Sequence, residues 1–139
     1  MTPAEIAKRL IEEYDPEHPS DEIYADELVS WHNYDEKEIR LTRGQLAEGA
    51  KGEHGALGSV LTGFGYEDRK AYPSDDAVIV THVMVGTLAD GTKIRIPACQ
   101  VHTLTDGRIS RMDVYMDSAH MAALGAAFAK AGISLGDSH

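Results

Sequence analysis

The chain has 139 residues, enough for one domain whose core needs no metal or disulfide staples. Its 42% hydrophobic content argues against disorder, and the single cysteine, Cys99, excludes an intrachain disulfide and a multi-cysteine zinc site. A formal net charge of −10, spread along the chain, argues against nucleic acid as a partner, and no run approaches the ~18 apolar residues of a membrane span.

The opening MTPAEIAKRLIEEYD is charged throughout and has no signal-peptide core, so the expected setting is cytoplasmic. Thr2-Pro3-Ala4-Glu5 predicts a capped helix start. Ile6, Leu10 and Tyr14 then fall on one helical face, with Ala7 and Ile11 beside them, and Asp15-Pro16 ends the helix. Ser20 is read as the cap of a short second helix carrying Ile23, Tyr24 and Leu28, and LVSWHNY (Leu28 to Tyr34) has strand-like content. Thr42-Arg43-Gly44-Gln45 resembles a second capping box, followed by Leu46, Ala50 and Leu57 at helical spacing. Gly49, Gly52, Gly55 and Gly58 interrupt that third helix, which must lean on packing or break.

From Gly63 the pattern changes to strands. Phe64 to Tyr72 is polar and reads as an edge. Ala77 to Leu88, Lys93 to Leu104 and Arg108 to Met116 form an antiparallel meander punctuated by Asp90-Gly91 and Asp106-Gly107, the strongest short-range hairpin signal. Pro97 inside its strand suggests an edge or a bulge. Asp117 or Ser118 is the expected cap of a last helix, with Met121, Leu124 and Phe128 on one face and Gly132 as its stop. The final ISLGDSH is expected to be loosely held. No repeat or linker divides residues 1–139, so one domain is expected.

The long strand is apolar on both faces: Val78/Val80/His82/Met84 nearly match Ile79/Thr81/Val83/Val85. Helices can cover only one side of such a sheet, so a homodimer through the outer sheet face is the simplest closure.

The segments EIYADELVSWHNYD (Glu22 to Asp35) and HTLTDGRISRMDVYMD (His102 to Asp117) resemble the nuclear transport factor two-like superfamily, which includes ketosteroid isomerase, SnoaL-type polyketide cyclases, limonene epoxide hydrolase and scytalone dehydratase. The resemblance covers nearly the whole chain in element order. It implies an α+β, cystatin-like fold: a cone-shaped curved antiparallel sheet wrapped around N-terminal helices, with a central apolar pocket. It says little about function, because this scaffold hosts enzymes, binding modules and adaptors.

Strand alternation assigns faces. Met112, Val114 and Met116 are placed in the cavity, in agreement with the resemblance, and Arg111, Asp113 and Tyr115 outside it. Thr81, Val83 and Val85 are placed inward on the long strand, Ile96, Ala98, Gln100 and His102 on the next, and Ser30, His32 and Tyr34 on the first. Tyr14 and Trp31 are assigned to the wall. Apolar walls with sparse polar groups suit a small molecule.

Set against ketosteroid isomerase, His32 falls at the catalytic base and Gln100 at the acid of the oxyanion hole. A histidine titrates near neutrality and suits a base, and an amide is a neutral donor. Tyr14 is the candidate for the remaining tyrosine. The epoxide hydrolase residues would fall on Thr81, Val83 and Val114, none of which ionises, and a dehydratase reading would use His32 with His102. His82 is placed on the opposite face from these histidines, so no metal site is expected, and no cofactor is implied. Asp113 is expected to pair with Arg111 or Arg95, and Cys99 to be a structural thiol.

The resulting expectation is a pocket for a small apolar or carbonyl-bearing molecule of polyketide- or steroid-like type. His32 would be the base, Gln100 with Ser30 or Tyr14 would steady an oxyanion, and His102 would be an auxiliary acid or orienting group. The reaction would be isomerisation, cyclisation or dehydration. The alternative is a non-catalytic ligand-binding or assembly module on the same fold.

Overall fold

A computed structural model describes residues 1–133 of the chain. The elements run α1 (Pro3–Glu12), β1 (Tyr24–His32), β2 (Glu38–Thr42), α2 (Arg43–Val60), β3 (Thr62–Pro73), β4 (Ala77–Thr87), β5 (Lys93–Thr105), β6 (Arg108–Met116) and α3 (Met121–Lys130). The strands form a six-stranded sheet in the order β2-β1-β6-β5-β4-β3. All neighbours are antiparallel except β1 and β6. The fold class is therefore α+β.

Local signals fix the starts of the first two helices. Thr2 accepts from Glu5 N at 3.2 Å while Glu5 returns the bond at 3.0 Å, and Thr42 with Gln45 repeats the arrangement at 3.1 and 2.9 Å. α1 then buries Ile6, Ala7 and Leu10 against Tyr24, Leu28, Val78, Val80 and Ile109. Each such aliphatic residue contributes roughly 1.5–3 kcal/mol by leaving water. α2 is continuous despite its glycines and buries Gly49 and Leu57.

Two expectations need correction, and one strand had no counterpart among them. The second helix is absent: one turn closes where Ser20 O accepts from Ile23 N and Tyr24 N, and Tyr24 then enters a strand. Pairing with β2 on one side and β6 on the other satisfies more backbone than a short helix could. β2 itself had no separate sequence signal. Neither Asp117 nor Ser118 caps α3: His120 stands at the cap and its ring bonds the Arg95 backbone rather than the helix end, and Asp117 Oδ1 accepts from Ala119 N at 2.7 Å.

The terminal helix does stop at Gly132, whose φ of +71° suits a residue without Cβ, and Ile133 N closes the end on Phe128 O. Residues 134–139 of the expected loose tail lie outside the described residues. β3 is the edge strand, as its polarity suggests. Pro97 sits in an interior strand without a bulge against β4, at a local edge where β6 has just ended and Asp117 N bonds its carbonyl at 3.0 Å.

Gly86 on β4 and Gly52 on α2 give opposite expectations. A Cβ at Gly86 would meet Leu61 side-chain atoms at 2.9 Å, whereas one at Gly52 would meet nothing within 4 Å. Urea unfolding should show Gly86→Ala destabilising by about 1–3 kcal/mol and Gly52→Ala stabilising by about 1 kcal/mol. Equal stability of Gly86→Ala and the parent would mean that Leu61 does not pack against this strand.

Candidate functional site

The concave sheet face, α2 and the segment after α1 enclose a cavity of about 110 Å³. β1 contributes Ser30 and His32, β5 Ile96, Ala98 and Gln100, and β6 Met112, Val114 and Met116. Tyr14 closes the end beyond α1. His102 lies on the same face of β5 but is sealed at 2% exposure behind Gln100.

Five assigned residues stand elsewhere: Thr81, Val83 and Val85 of β4, with Trp31 and Tyr34. Thr81 and Val83 line a groove of about 470 Å³ on the outer sheet face, with Cys99 and Tyr115. The inward residues of β4 are His82 and Met84 instead. Trp31 alternates with Ser30 and His32 and packs on Tyr115, ring centres 5.2 Å apart, so it belongs to the outer face. Tyr34 is 48% exposed beyond the end of β1 and rests against His32, centroids 5.0 Å apart. Asp113 pairs with Arg111 at 2.9 Å, and Arg111 also holds Glu38.

His82 therefore shares the cavity with His32 and Gln100, against the alternation first assigned. The reason is the β4–β5 loop. It runs from Leu88 to Thr92, with Thr87 opposite Lys93, so Asp90-Gly91 is not a two-residue turn. The odd number of loop residues sets His82 opposite Ala98 and turns every β4 side chain to the other face. At the second Asp-Gly pair the turn is tight, with Asp106 and Gly107 both at positive φ, and a bulge after Thr103 restores Met112 and Val114 to the inner face.

Sequence reasoning also missed a set of polar groups on the inner face. In β3, Glu67 pairs with Val83 and Lys70 with Thr81, so Asp68 and Arg69 together oppose His82. Asp68 has the left-handed φ of +53° that the bulge demands. The extra residue brings both Tyr66 and Arg69 inward. Tyr66 stacks on His82 with centroids 4.7 Å apart, and its hydroxyl lies 3.4 Å from His54 Nε2 on α2. His54 Nδ1 in turn lies 3.3 Å from Glu17 Oε2. Glu53, His54, Leu46 and Ala50 of α2 all line the cavity, and their spacing on one helical face was the available signal. The bulge that turns Tyr66 and Arg69 inward had none.

Hydrogen bonding orients Gln100. His102 Nε2 and Gln100 Oε1 are 3.1 Å apart, and His102 Nδ1 is buried without a partner. An orphaned lone pair is cheaper than an orphaned N–H, so the proton belongs on Nε2 and is donated to the Gln100 carbonyl. The Gln100 amide N–H groups then face the cavity. Burial, with Arg69 and His82 nearby, pushes the His102 pKa down to about 3, so it stays neutral near pH 7. Burial also pushes the tyrosines up: Tyr14, against the pull of Arg69, and Tyr66. Among the described residues no three His, Cys, Asp or Glu side chains converge as a metal site. None of their helices is long and apolar enough to cross a membrane.

Neither protein-family models nor curated proteins match this sequence. Solved structures do. A nuclear transport factor two-like protein from Burkholderia thailandensis is 17% identical with a TM-score of 0.65, over 90% of this chain and 98% of that one. A SnoaL-like polyketide cyclase candidate from Jannaschia sp. is 17% identical with a TM-score of 0.61, over 90% of each chain. A protein of ketosteroid isomerase-like fold from Catenulispora acidiphila, crystallised with trimethylamine, is 15% identical with a TM-score of 0.54, over 96% and 94%. The chain thus has the fold of the nuclear transport factor two-like superfamily, shared by SnoaL-like and ketosteroid isomerase-like proteins.

Proposed function

We propose that the chain binds a small, largely apolar carbonyl compound in the inner cavity and abstracts a proton beside the carbonyl, with His32 as base. The observation that carries this reading is the meeting of His32 and an oriented Gln100 amide in one cavity with Met84, Ile96, Met112 and Val114 as walls. A strand imidazole can take a proton from carbon, and an amide donor can steady the charge that passes to oxygen. Ser30 and Tyr14 line the same space and are the further candidates for steadying that oxygen. His102 acts here as the group that orients Gln100. As an acid it would need a proton that its burial withholds. No cofactor enters this scheme.

Size narrows the ligand. A cavity of about 150 Å³ admits benzene, and this one is about 110 Å³. A single-ring ketone or enone therefore fits better than a steroid. The protein is proposed to act in the cytoplasm as a homodimer that covers the outer face, where Tyr72, Ile79 and Tyr115 are exposed. The second reading, a binding or assembly module without turnover, is favoured by the small size of the cavity.

Native mass spectrometry and crystallography of protein purified from its own cell should reveal a single-ring ligand touching His32 and Gln100. A ligand seated only in the outer groove would refute the site. In deuterated water, wild type should exchange protons beside the carbonyl of cyclic enones, and His32→Ala should slow this by ~10²-fold or more. Binding without exchange in either protein would select the non-catalytic module.

The buried histidines predict acid sensitivity. Burial holds His82 at about 4 and His102 at about 3, below the ~6.5 of an unfolded histidine. The native state then stays neutral where the unfolded chain binds protons. Their contribution is complete above pH ~6.5 and is lost as pH falls towards the folded values. Urea unfolding at pH 5 should show a loss of roughly 2 kcal/mol per histidine relative to pH 7. His102→Leu should remove about half of that loss; an unchanged pH dependence would place His102 in water.

A further inference from the structure

We propose that His82, held by Arg69 as a neutral imidazole protonated on Nε2, is a second donor of the cavity and forms with Gln100 a two-donor seat for an oxygen bearing negative charge, as in an enolate or phenolate. This rests on the reading of the inner cavity as a ligand site.

The tautomer follows from the donor chemistry of arginine. Arg69 Nη1 lies 2.6 Å from His82 Nδ1. A guanidinium can only donate, so Nδ1 must accept. The ring proton is left on Nε2. A doubly protonated ring would set donor against donor and cation against cation. Nε2 has no protein partner among the described residues, and it is not among the sealed unpartnered atoms. It is therefore open while the ring as a whole is 5% exposed.

The surroundings fix this ring. Tyr66 stacks on it at an interplanar angle of 13°, and Tyr14 stands at 73° with centroids 6.4 Å apart. Both tyrosines line the cavity. The cross-strand neighbour is Ala98, which carries no bulk to cover the imidazole edge. Gln100 follows two residues later on the same face of β5.

The guanidinium is itself fixed: Nε donates to Leu10 O at 3.1 Å, and the charged carbon lies 3.4 Å from the centre of the Tyr14 ring. Among the described residues Arg69 makes no ion pair with a carboxylate. Its charge reaches the cavity through His82, as a positioning group. Of the other titratable groups near His82, His102 stays neutral behind Gln100, His32 lines the cavity from β1, and Glu53 and His54 line it from α2, where His54 meets Tyr66 and Glu17. The sheet wall thus carries Gln100 and His82, and the cavity's carboxylate, Glu53, stands on the helix wall. An oxygen acquiring negative charge is stabilised on the sheet side, because fixed dipoles aimed at it need no rearrangement.

The probe is 4-nitrophenol, a single-ring phenol whose ionisation is read by absorbance. Bound to wild type, it should ionise at a pH at least one unit lower than free in solution, a preference of ~10-fold or more for the phenolate. His82→Leu should abolish this preference while the phenol still binds. In wild type, nitrogen NMR should show His82 neutral, with its proton on Nε2, and unchanged between pH 5.5 and 8, because burial and the Arg69 charge both oppose protonation. Arg69→Gln should free the ring to titrate in the ordinary histidine range. A proton on Nδ1, or wild-type titration near pH ~6.5, would overturn the inference whether or not any ligand binds. Binding with no preference for the phenolate would overturn it alone and leave the cavity reading standing. Failure of wild type to bind any single-ring phenol or ketone would sink both.

Discussion

The register between β4 and β5 decides what the cavity is made of. With Thr87 opposite Lys93, His82 falls opposite Ala98 and Val80 opposite Gln100, so two polar groups share the inner face at diagonal positions. A slip of one residue would send His82 and Met84 outward and bring Thr81 and Val83 in. The cavity would then lose an imidazole and gain a hydroxyl and a valine. Nothing in the composition of β4 resists that slip, because both of its faces are apolar. Resistance comes from the core: Val78 and Val80 are fully buried against α1, and Met84 packs with Leu57, Leu61 and Phe128.

The β3 bulge completes the arrangement. Opposing one residue with two is a local defect in the ladder, with Asp68 in a left-handed conformation that an ordinary residue adopts at a cost. Its product is a stack: Tyr66 on one side of His82 and Arg69 at its Nδ1. A regular strand would place Tyr66 and Arg69 on opposite faces. The half-buried guanidinium is tolerated because Leu10 O, His82 and the Tyr14 ring meet it, although its buried Nη2 stays unpartnered. That incomplete satisfaction is the kind of local cost that concentrates at functional sites rather than in a core built for stability alone.

The polar groups also differ in how they are held. Gln100 is oriented from behind by a sealed histidine, and His82 from the side by a cation. His32 stands at the end of β1 beside Tyr34, nearer the rim. The cavity accordingly has rigid donors on the interior strands and a base candidate at the strand end. This division suits proton transfer: the group that accepts a proton must release it, whereas the donors serve best when fixed.

Much of this was legible in the sequence, and the limit has a physical cause. Thr2 with Glu5 and Thr42 with Gln45 marked the first two helices, because a capping box is closed by neighbours three residues apart. The meander and its edge strand followed from alternation and turn chemistry, and the inward set of β6 from its apolar residues, because the bulge after Thr103 reverses the face that the tight Asp106-Gly107 turn alone would give Met112. What the sequence could not settle were relations between distant segments: that Tyr24 pairs in a sheet rather than coiling after Ser20, that the loop after Thr87 is odd in length, and that Asp68 is an extra residue. Those choices are made by packing and by pairing of backbone groups across the sheet, where the energy lies between elements and not within them. The residues themselves specified strands, caps and an oily interior; only the folded sheet determined which histidines and which arginine meet inside it.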